Sequence, residues 1–303
     1  MSQFIDGSQE QLQASTEAGL AIVDKEAGVT SHDVVASLRR IFAQRRVGHA
    51  GTLDPDATGV LLVGFGKMTR LLRFLSTLPK TYIGEIVLGE STDTQDSSGE
   101  VVSFHDMSGV NLEEVRQGAA GLTGEISQIP PMVSAVKIDG VRMYDLARKG
   151  IEVERPPRKV TVSDFTVEDQ IEHLVFPFSV TCSAGTYVRT LVHDLGVSLG
   201  GGAHLRNLRR VAIGQFDVDR ATKVGDLTLG HLISPAQALS FMPFVTPSKS
   251  VLDRVVHGAP VAKVDLEAVG DGPWAVLGES GNLVAIYEAV GLDKAKPAVV
   301  LAS

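Results

Sequence analysis

The stretch Val47–Leu72, "VGHAGTLDPDATGVLLVGFGKMTRLL", decides how the chain is read. It presents one carboxylate, Asp54, in the turn "TLDP", with a second, Asp56, close behind and glycines on both sides at Gly51 and Gly59. Pro55 offers no backbone donor and biases Asp54 toward an extended conformation. Gly51 and Gly59 permit backbone conformations, or close approaches of another chain segment, that a β-carbon forbids. "VLLVGFG" follows at once and is apolar enough to be a buried strand. An aspartate fixed so near the core is either a cap for its own turn or a preorganised functional carboxylate. Asp-Pro is a common turn initiator, so from this pair alone capping is the stronger reading.

Outward from the turn, "GLAIVDK" (Gly19–Lys25) alternates into a first strand, and "TSHDVVASLRRIFAQRR" follows as a helix. Thr30 or Ser31 can cap it, and Val34, Val35, Leu38, Ile41 and Phe42 form its apolar stripe. Past the turn come a short helix in "KMTRLLRFL", a strand "KTYIGEIVLG", a polar run "STDTQDSSGE" read as a mobile loop, and a helix "LEEVRQGAAGL". "VSAVKIDG" and "RKVTVSDFTVE" read as strands with the basic helix "RMYDLARKG" between them. "LVFPFSVTCS" leads into the helix "TYVRTLVHDLGVSL", and "LRRVAIGQFDV" is a late strand. Strands follow one another without a regular βαβ period. The expected fold is therefore α+β, a mixed, largely antiparallel sheet flanked by helices.

The texture changes near "MPFVTPSKS" (Met242–Ser250), after which short apolar runs carry the hairpin signal "ESGN". The expected organisation is a flexible extension at residues 1–18, a main domain at 19–245 and a small β-domain at 246–303. A tail of that size is marginal for standing alone. The 303 residues are 44% hydrophobic, enough for a substantial core, and carry a net charge of -8. The single cysteine, Cys182, excludes an intrachain disulfide and a thiolate metal cluster within one chain. No apolar run approaches the roughly 20 residues of a membrane span, and the polar, acidic N-terminus lacks the form of a signal peptide. The chain is read as cytoplasmic. With no coiled-coil signal or obvious apolar patch, it is read as a monomer.

Several catalytic templates fail. "GFGKMT" lacks the first Walker glycine, because Leu61 stands there, and has Met68 where Ser or Thr is needed. "GGGAHLRNL" does not complete a dinucleotide fingerprint. The eight histidines show no metal spacing, and no G-x-S-x-G elbow exists. A rival reading as a hydrolase using Asp54 and Asp56 is disfavoured, because adjacent carboxylates in a turn point apart and no separate acid is evident. Other features favour an anionic partner. Arg189 stands in the first turn of its helix, where a cation opposes the helix dipole, so it calls for a specific anion. Lys137–Lys159 holds seven Lys/Arg against four Asp/Glu, and "SLRRIFAQRR" and "HLRNLRR" are further basic clusters. Any one of them reads as a solvated face; three together suggest a surface for a polyanion.

These stretches together resemble one family. "GHAGTLDPDATGVLLVGFGKMTRLL" is similar to the catalytic motif of the TruB-type tRNA pseudouridine-55 synthases. "VDKEAGVTSHDVV", "KTYIGEIVLG", "QIPPMVSAVKIDGVRMYDLARKG", "CSAGTYVRTLVHDLG" and "LRNLRRVAIGQF" fall in that family's order, over Gly19 to Phe216. The resemblance implies Asp54 as catalytic aspartate, Tyr82 as the tyrosine that stacks on the target base, and Arg189 as the arginine paired with the aspartate. It implies Leu208 as an apolar wall, His49 as a histidine that helps admit the flipped nucleotide, and Lys25 as the lysine of the first motif. It implies a PUA-like RNA-binding domain in the tail. The chain departs from the family pattern at Glu26, usually Pro, and at Lys67–Arg70, usually Ala-Thr-Lys.

The implied reaction breaks the N1–C1′ bond of a uridine at position 55 in the T-loop of tRNA, turns the uracil and joins C5 to C1′. Nothing is added or lost, so neither cofactor nor metal is expected. The target base must be flipped out, at a few kcal/mol. Stacking on Tyr82, typically ~1–3 kcal/mol per base, would offset part of this. By spacing alone Tyr82 is a half-buried strand aromatic. Whether Asp54 attacks the sugar or removes a sugar proton stays open. The rival from another class is a tRNA-binding or tRNA-folding module whose enzymatic activity is secondary or lost.

Overall fold

The computed structural model describes residues 18–131, 137–138, 141–142 and 155–301. Residues 1–17 of the extension expected at 1–18, most of the net-positive stretch from Lys137, and the helix expected at "RMYDLARKG" lie outside the described residues.

A ten-stranded sheet forms the body. Its order is Thr222–Lys223, Gly19–Lys25, Thr58–Phe65, Ala203–Ile213, Lys80–Leu88, Val175–Cys182, Arg158–Val167 and Gly124–Gln128. Val47–Ala50 pairs with Thr58–Phe65, and Phe216–Asp217 pairs with Ala203–Ile213. All pairings are antiparallel except two: Gly19–Lys25 with Thr222–Lys223, and Thr58–Phe65 with Ala203–Ile213. The sheet is thus mixed and largely antiparallel, and the fold is α+β.

The run after the opening turn is buried on both faces. Leu61, Val63 and Phe65 pack with Val34, Val35 and Leu38 of the helix Ser31–Ile41. Val60 and Leu62 pack on the other side with Met68, Leu71, Leu72 and Leu75. Thr30 caps that helix in a reciprocal capping box with Asp33. In Gly19–Lys25 only Asp24 escapes burial. The alternation read there does not mark one wet face, because layers cover both sides of the sheet. On the other half of the sheet, the helix Val188–Ser198 lays Leu191, Val192 and Leu195 onto Ile86, Val162, Phe176 and Phe178.

The C-terminal residues form a five-stranded sheet in the order Phe244–Val245, Trp274–Leu277, Leu283–Val290, Lys294–Val300 and Val261–Ala262. "ESGN" makes the expected hairpin between Trp274–Leu277 and Leu283–Val290. This sheet does not rely on its own core alone. Ala275, Leu283, Ile286, Val299 and Leu301 share one apolar cluster with Leu72, Leu75, Leu239 and Met242. Lys67 Nζ donates to the Leu301 carbonyl at 2.9 Å, and Arg73 pairs with Glu288 at 3.6 Å. Among the described residues, no helix is long and apolar enough to cross a membrane.

Candidate active site

The turn that carries Asp54 is held on almost every side. Gly51 has φ +83°, and a β-carbon on Gly59, at φ +99°, would fall 2.1 Å from the Arg210 carbonyl oxygen. Both glycines therefore serve the uses their positions suggested. Arg210 is buried and donates from Nη2 to the Gly51 carbonyl at 2.9 Å and from Nε to that of Val60 at 2.7 Å. Ser31 Oγ accepts from Leu53 N at 2.9 Å. Lys25, 0% exposed, donates from Nζ to the carbonyls of Glu26, Val29 and Pro55 at 2.9, 2.7 and 2.8 Å. Ala57 N donates to the Asp54 carbonyl at 3.2 Å and closes the turn.

Asp54 faces a cavity of about 260 Å³ lined also by Lys80, Tyr82, Tyr187, Arg189, Leu208 and Arg210. Arg189 Nε stands 3.3 Å from Asp54 Oδ2, and Nη1 stands 3.4 Å from Asp96 Oδ2. The anion expected for Arg189 is thus a pair of carboxylates. Arg189 is the second residue of the helix Val188–Ser198, whose start is fixed by buried Gln128. Gln128 accepts from Tyr187 N at 2.8 Å and donates to the Tyr187 carbonyl at 3.0 Å.

The Asp54 side chain is 46% exposed, but into the cavity, where surrounding protein still desolvates it. Desolvation raises its pKa above the ordinary value; Arg189 opposes this, and Asp96 adds to it. Tyr82 is buried, and its phenol is pushed up by desolvation. Lys80 is lowered to about 8, first by desolvation and then by the Arg210 charge. Its Nζ donates to the carbonyls of Ser76 and Leu78 at 3.0 and 2.8 Å.

The structure therefore gathers Asp54, Tyr82, Arg189 and Leu208 around one cavity. Lys25 and His49 do not line it. Lys25 lies beneath the turn, tying it to the first loop. His49 lies on Val47–Ala50 with its Nδ1 buried and without a hydrogen-bond partner, and desolvation lowers its pKa. Among the described residues, no group of three or more His, Cys, Asp or Glu could hold a metal ion.

Sequence reasoning missed Lys80, Asp96 and Arg210. Lys80 was recoverable, since residues two apart in "KTY" share a strand face. Asp96 had no local signal. It lies in "STDTQDSSGE", which is not the loose loop expected. Asp96 Oδ1 accepts from Thr94 Oγ1 at 2.7 Å and Ser98 N at 3.1 Å, and Ser97 N donates to the Leu205 carbonyl at 2.9 Å. Nor does "HLRNLRR" form a free basic patch. Arg206 pairs with Glu85 and Glu172, Arg209 grips both oxygens of Asp24 at 2.9 and 2.8 Å, and Arg210 is buried under the turn. In "SLRRIFAQRR", by contrast, Arg39, Arg40, Arg45 and Arg46 stay exposed.

Known proteins resemble the chain in sequence and in fold. Residues 39–188 match the TruB family pseudouridylate synthase N terminal domain, and residues 189–256 match the tRNA pseudouridylate synthase B C-terminal domain. The chain is 45% identical over 249 residues to tRNA pseudouridine synthase B of Syntrophotalea carbinolica, covering 80% of this chain and 81% of that protein. It is 44% identical over 284 residues to tRNA pseudouridine synthase B of Streptomyces avermitilis, covering 90% and 94%. The fold also matches a chain in the crystal structure of a Cbf5-Nop10-Gar1 complex, with TM-score 0.73, 28% identity and coverage of 93% of this chain and 83% of that one. On the sequence matches along most of its length, the chain belongs to the TruB family of pseudouridylate synthases.

Proposed function

We propose that the protein isomerises uridine to pseudouridine at position 55 in the T-loop of tRNA. The observation that carries this reading is the Asp54–Arg189 ion pair at 3.3 Å in the wall of a cavity it shares with Tyr82 and Leu208. At about 260 Å³ the cavity lies at or below the lower end of ordinary ligand pockets, roughly 300–1,000 Å³, and suits one flipped nucleotide.

In this reading Asp54 reacts as the carboxylate. Burial disfavours that form, and Arg189 offsets part of the penalty. The hydrogen bonds under the turn hold the carboxylate in place before the substrate arrives, which lowers the entropic cost of reaction. Tyr82 stacks on the flipped base, and Leu208 supplies an apolar wall. Lys25 supports the carboxylate from beneath, and His49 acts in admitting the nucleotide. The reaction needs no cofactor. Residues 19–245 form the catalytic unit and 246–303 a PUA-like RNA-binding unit. The partner is the tRNA T-stem-loop, and the protein works as a cytoplasmic monomer.

The test is to incubate the protein with an unmodified tRNA transcript and map pseudouridine with a base-specific chemical label. Wild type should modify one T-loop uridine and leave RNA mass unchanged. Asp54→Asn should fold and bind tRNA but form no detectable product, because Asn has nearly the same shape and can occupy the turn but cannot supply an anion. Asp56→Asn should retain most activity. Binding by wild type without product would favour a tRNA-binding or tRNA-folding module, and near-normal product from folded Asp54→Asn would return Asp54 to a capping role.

A further inference from the structure

The internal pairing of "HLRNLRR" points to a use other than RNA contact. In the ladder between Ala203–Ile213 and Lys80–Leu88, Arg206 faces Glu85 and Arg209 faces Ile83. Asn207 and Leu208 therefore stand opposite a single residue, Gly84, which makes a β-bulge with one residue extra. Asn207 has φ +55°, in the left-handed region that asparagine enters more readily than most residues.

A one-residue shift flips every side chain beyond it to the other face. Before the bulge, Leu205 is paired with Ile86; after it, Arg210 is paired with Tyr82. Unbroken alternation from Leu205 would place residues 207, 209 and 211 on the Tyr82 face, with Leu208 and Arg210 turned away. With the bulge, Leu208 and Arg210 line the cavity beside Tyr82, and Arg209 reaches Asp24.

One side chain grips the bulge from the neighbouring strand. Glu85 Oε2 accepts from Asn207 Nδ2 at 3.0 Å and from Arg206 Nε, while Arg206 Nη2 reaches Glu172 at 3.3 Å. Glu85 is not among the residues that line the cavity. We infer that Glu85 and Asn207 form a clasp that fixes the register of this bulge, and that they are positioning residues for Leu208 and Arg210 in the active-site wall. The inference rests on the functional reading above.

The experiment uses the full chain and a tRNA transcript, with three readouts: single-turnover pseudouridine formation at saturating tRNA, tRNA Kd, and Tm. Asn207→Gly keeps the left-handed conformation at no steric cost and should stay within about threefold of wild type. Asn207→Val opposes that conformation, and Glu85→Ala removes the grip. Each should slow the rate about tenfold to a hundredfold, the size expected when a reacting group is misplaced, with Kd within about twofold. In the Asn207→Gly background, Glu85→Ala should cost less, because glycine holds the bulge unaided.

Equal slowing by Asn207→Gly and Asn207→Val would overturn the inference. So would a Glu85→Ala protein that melts earlier but turns over at the wild-type rate. If Asn207→Val does not fold, Glu85→Gln decides: it keeps an acceptor and should run near wild type, and a rate as low as that of Glu85→Ala would count against the clasp. A wild-type protein that forms no pseudouridine would instead retire the functional reading, and that result precedes any variant.

Discussion

Lys25 Nζ lies 2.8 Å from the carbonyl oxygen of Pro55, so a cation wholly shielded from solvent holds the residue that follows Asp54. Its pKa is lowered, chiefly by burial, with the Asp56 and Asp54 charges opposing. This one ammonium ties together three carbonyls from two loops, and the Pro55 carbonyl also accepts from Gly28 N at 3.1 Å.

Lys25→Met should therefore lose stability and rate together. Three carbonyls would lose the ammonium, though that of Pro55 keeps the Gly28 N–H at 3.1 Å and water can reach the partly buried others, so at roughly 1–3 kcal/mol for an unsatisfied group the net loss should be about 1–3 kcal/mol. Calorimetry should show a Tm several degrees lower. Single-turnover assays well below that Tm should be slower per folded molecule. An unchanged Tm would show that the lysine is not what secures the turn.

The pH dependence follows from the raised pKa of Asp54. The proposed chemistry uses the carboxylate, so the rate should climb with pH through a midpoint above the ordinary value of 3.8. Stability moves the other way. A carboxyl with a raised folded pKa stabilises the native state fully below its unfolded pKa, and that contribution is lost as pH rises through the folded pKa. Asp96→Asn removes a like charge and should shift the kinetic midpoint downward. A pH–rate profile in single turnover measures it, and a midpoint that does not move would remove Asp96 from the electrostatics of the site.

tRNA affinity should fall linearly with salt on logarithmic axes, despite the net charge of -8. The exposed end of "SLRRIFAQRR" should carry part of this, because the arginines of "HLRNLRR" are paired or buried within the protein. Arg45→Ala and Arg46→Ala should each reduce the salt slope by about one. Binding isotherms at several salt concentrations give the slope, and a value unchanged in the double variant would place the contact elsewhere.

The shared apolar cluster predicts that the C-terminal sheet and the body unfold as one unit. Ile286→Ala, at a fully buried position, should cost about 2–5 kcal/mol and lower the melting of the whole chain. Near- and far-ultraviolet circular dichroism should report a single coincident transition. Two separated transitions would show that the tail stands by itself.

Local signals in the sequence reached local features. The turn around Asp54, the Thr30 cap and the "ESGN" hairpin are each encoded within a few residues, and the structure has all three. Arg189 was signalled by its place in the first turn of a helix, whereas Tyr82 came into view only through the family resemblance, since spacing alone made it a half-buried strand aromatic. What escaped was pairing across long separations. Asp24 and Arg209 are 185 residues apart, and Arg206 and Glu85 are 121 apart, so a run of arginines committed to internal carboxylates reads like one facing solvent. The polar stretch at Ser91–Glu100 misled for the same reason: the groups that order it, Leu205, Arg189 and Thr190, lie about a hundred residues downstream.

The bonds under the Asp54 turn form when the chain folds, not when RNA binds. Little ordering of this turn is then left for the reactive encounter, which keeps the entropic cost of reaching the reactive geometry small. Lys25 and Arg210 are themselves buried, so the turn should loosen only as the surrounding core does, and activity and fold should be lost over the same range of temperature.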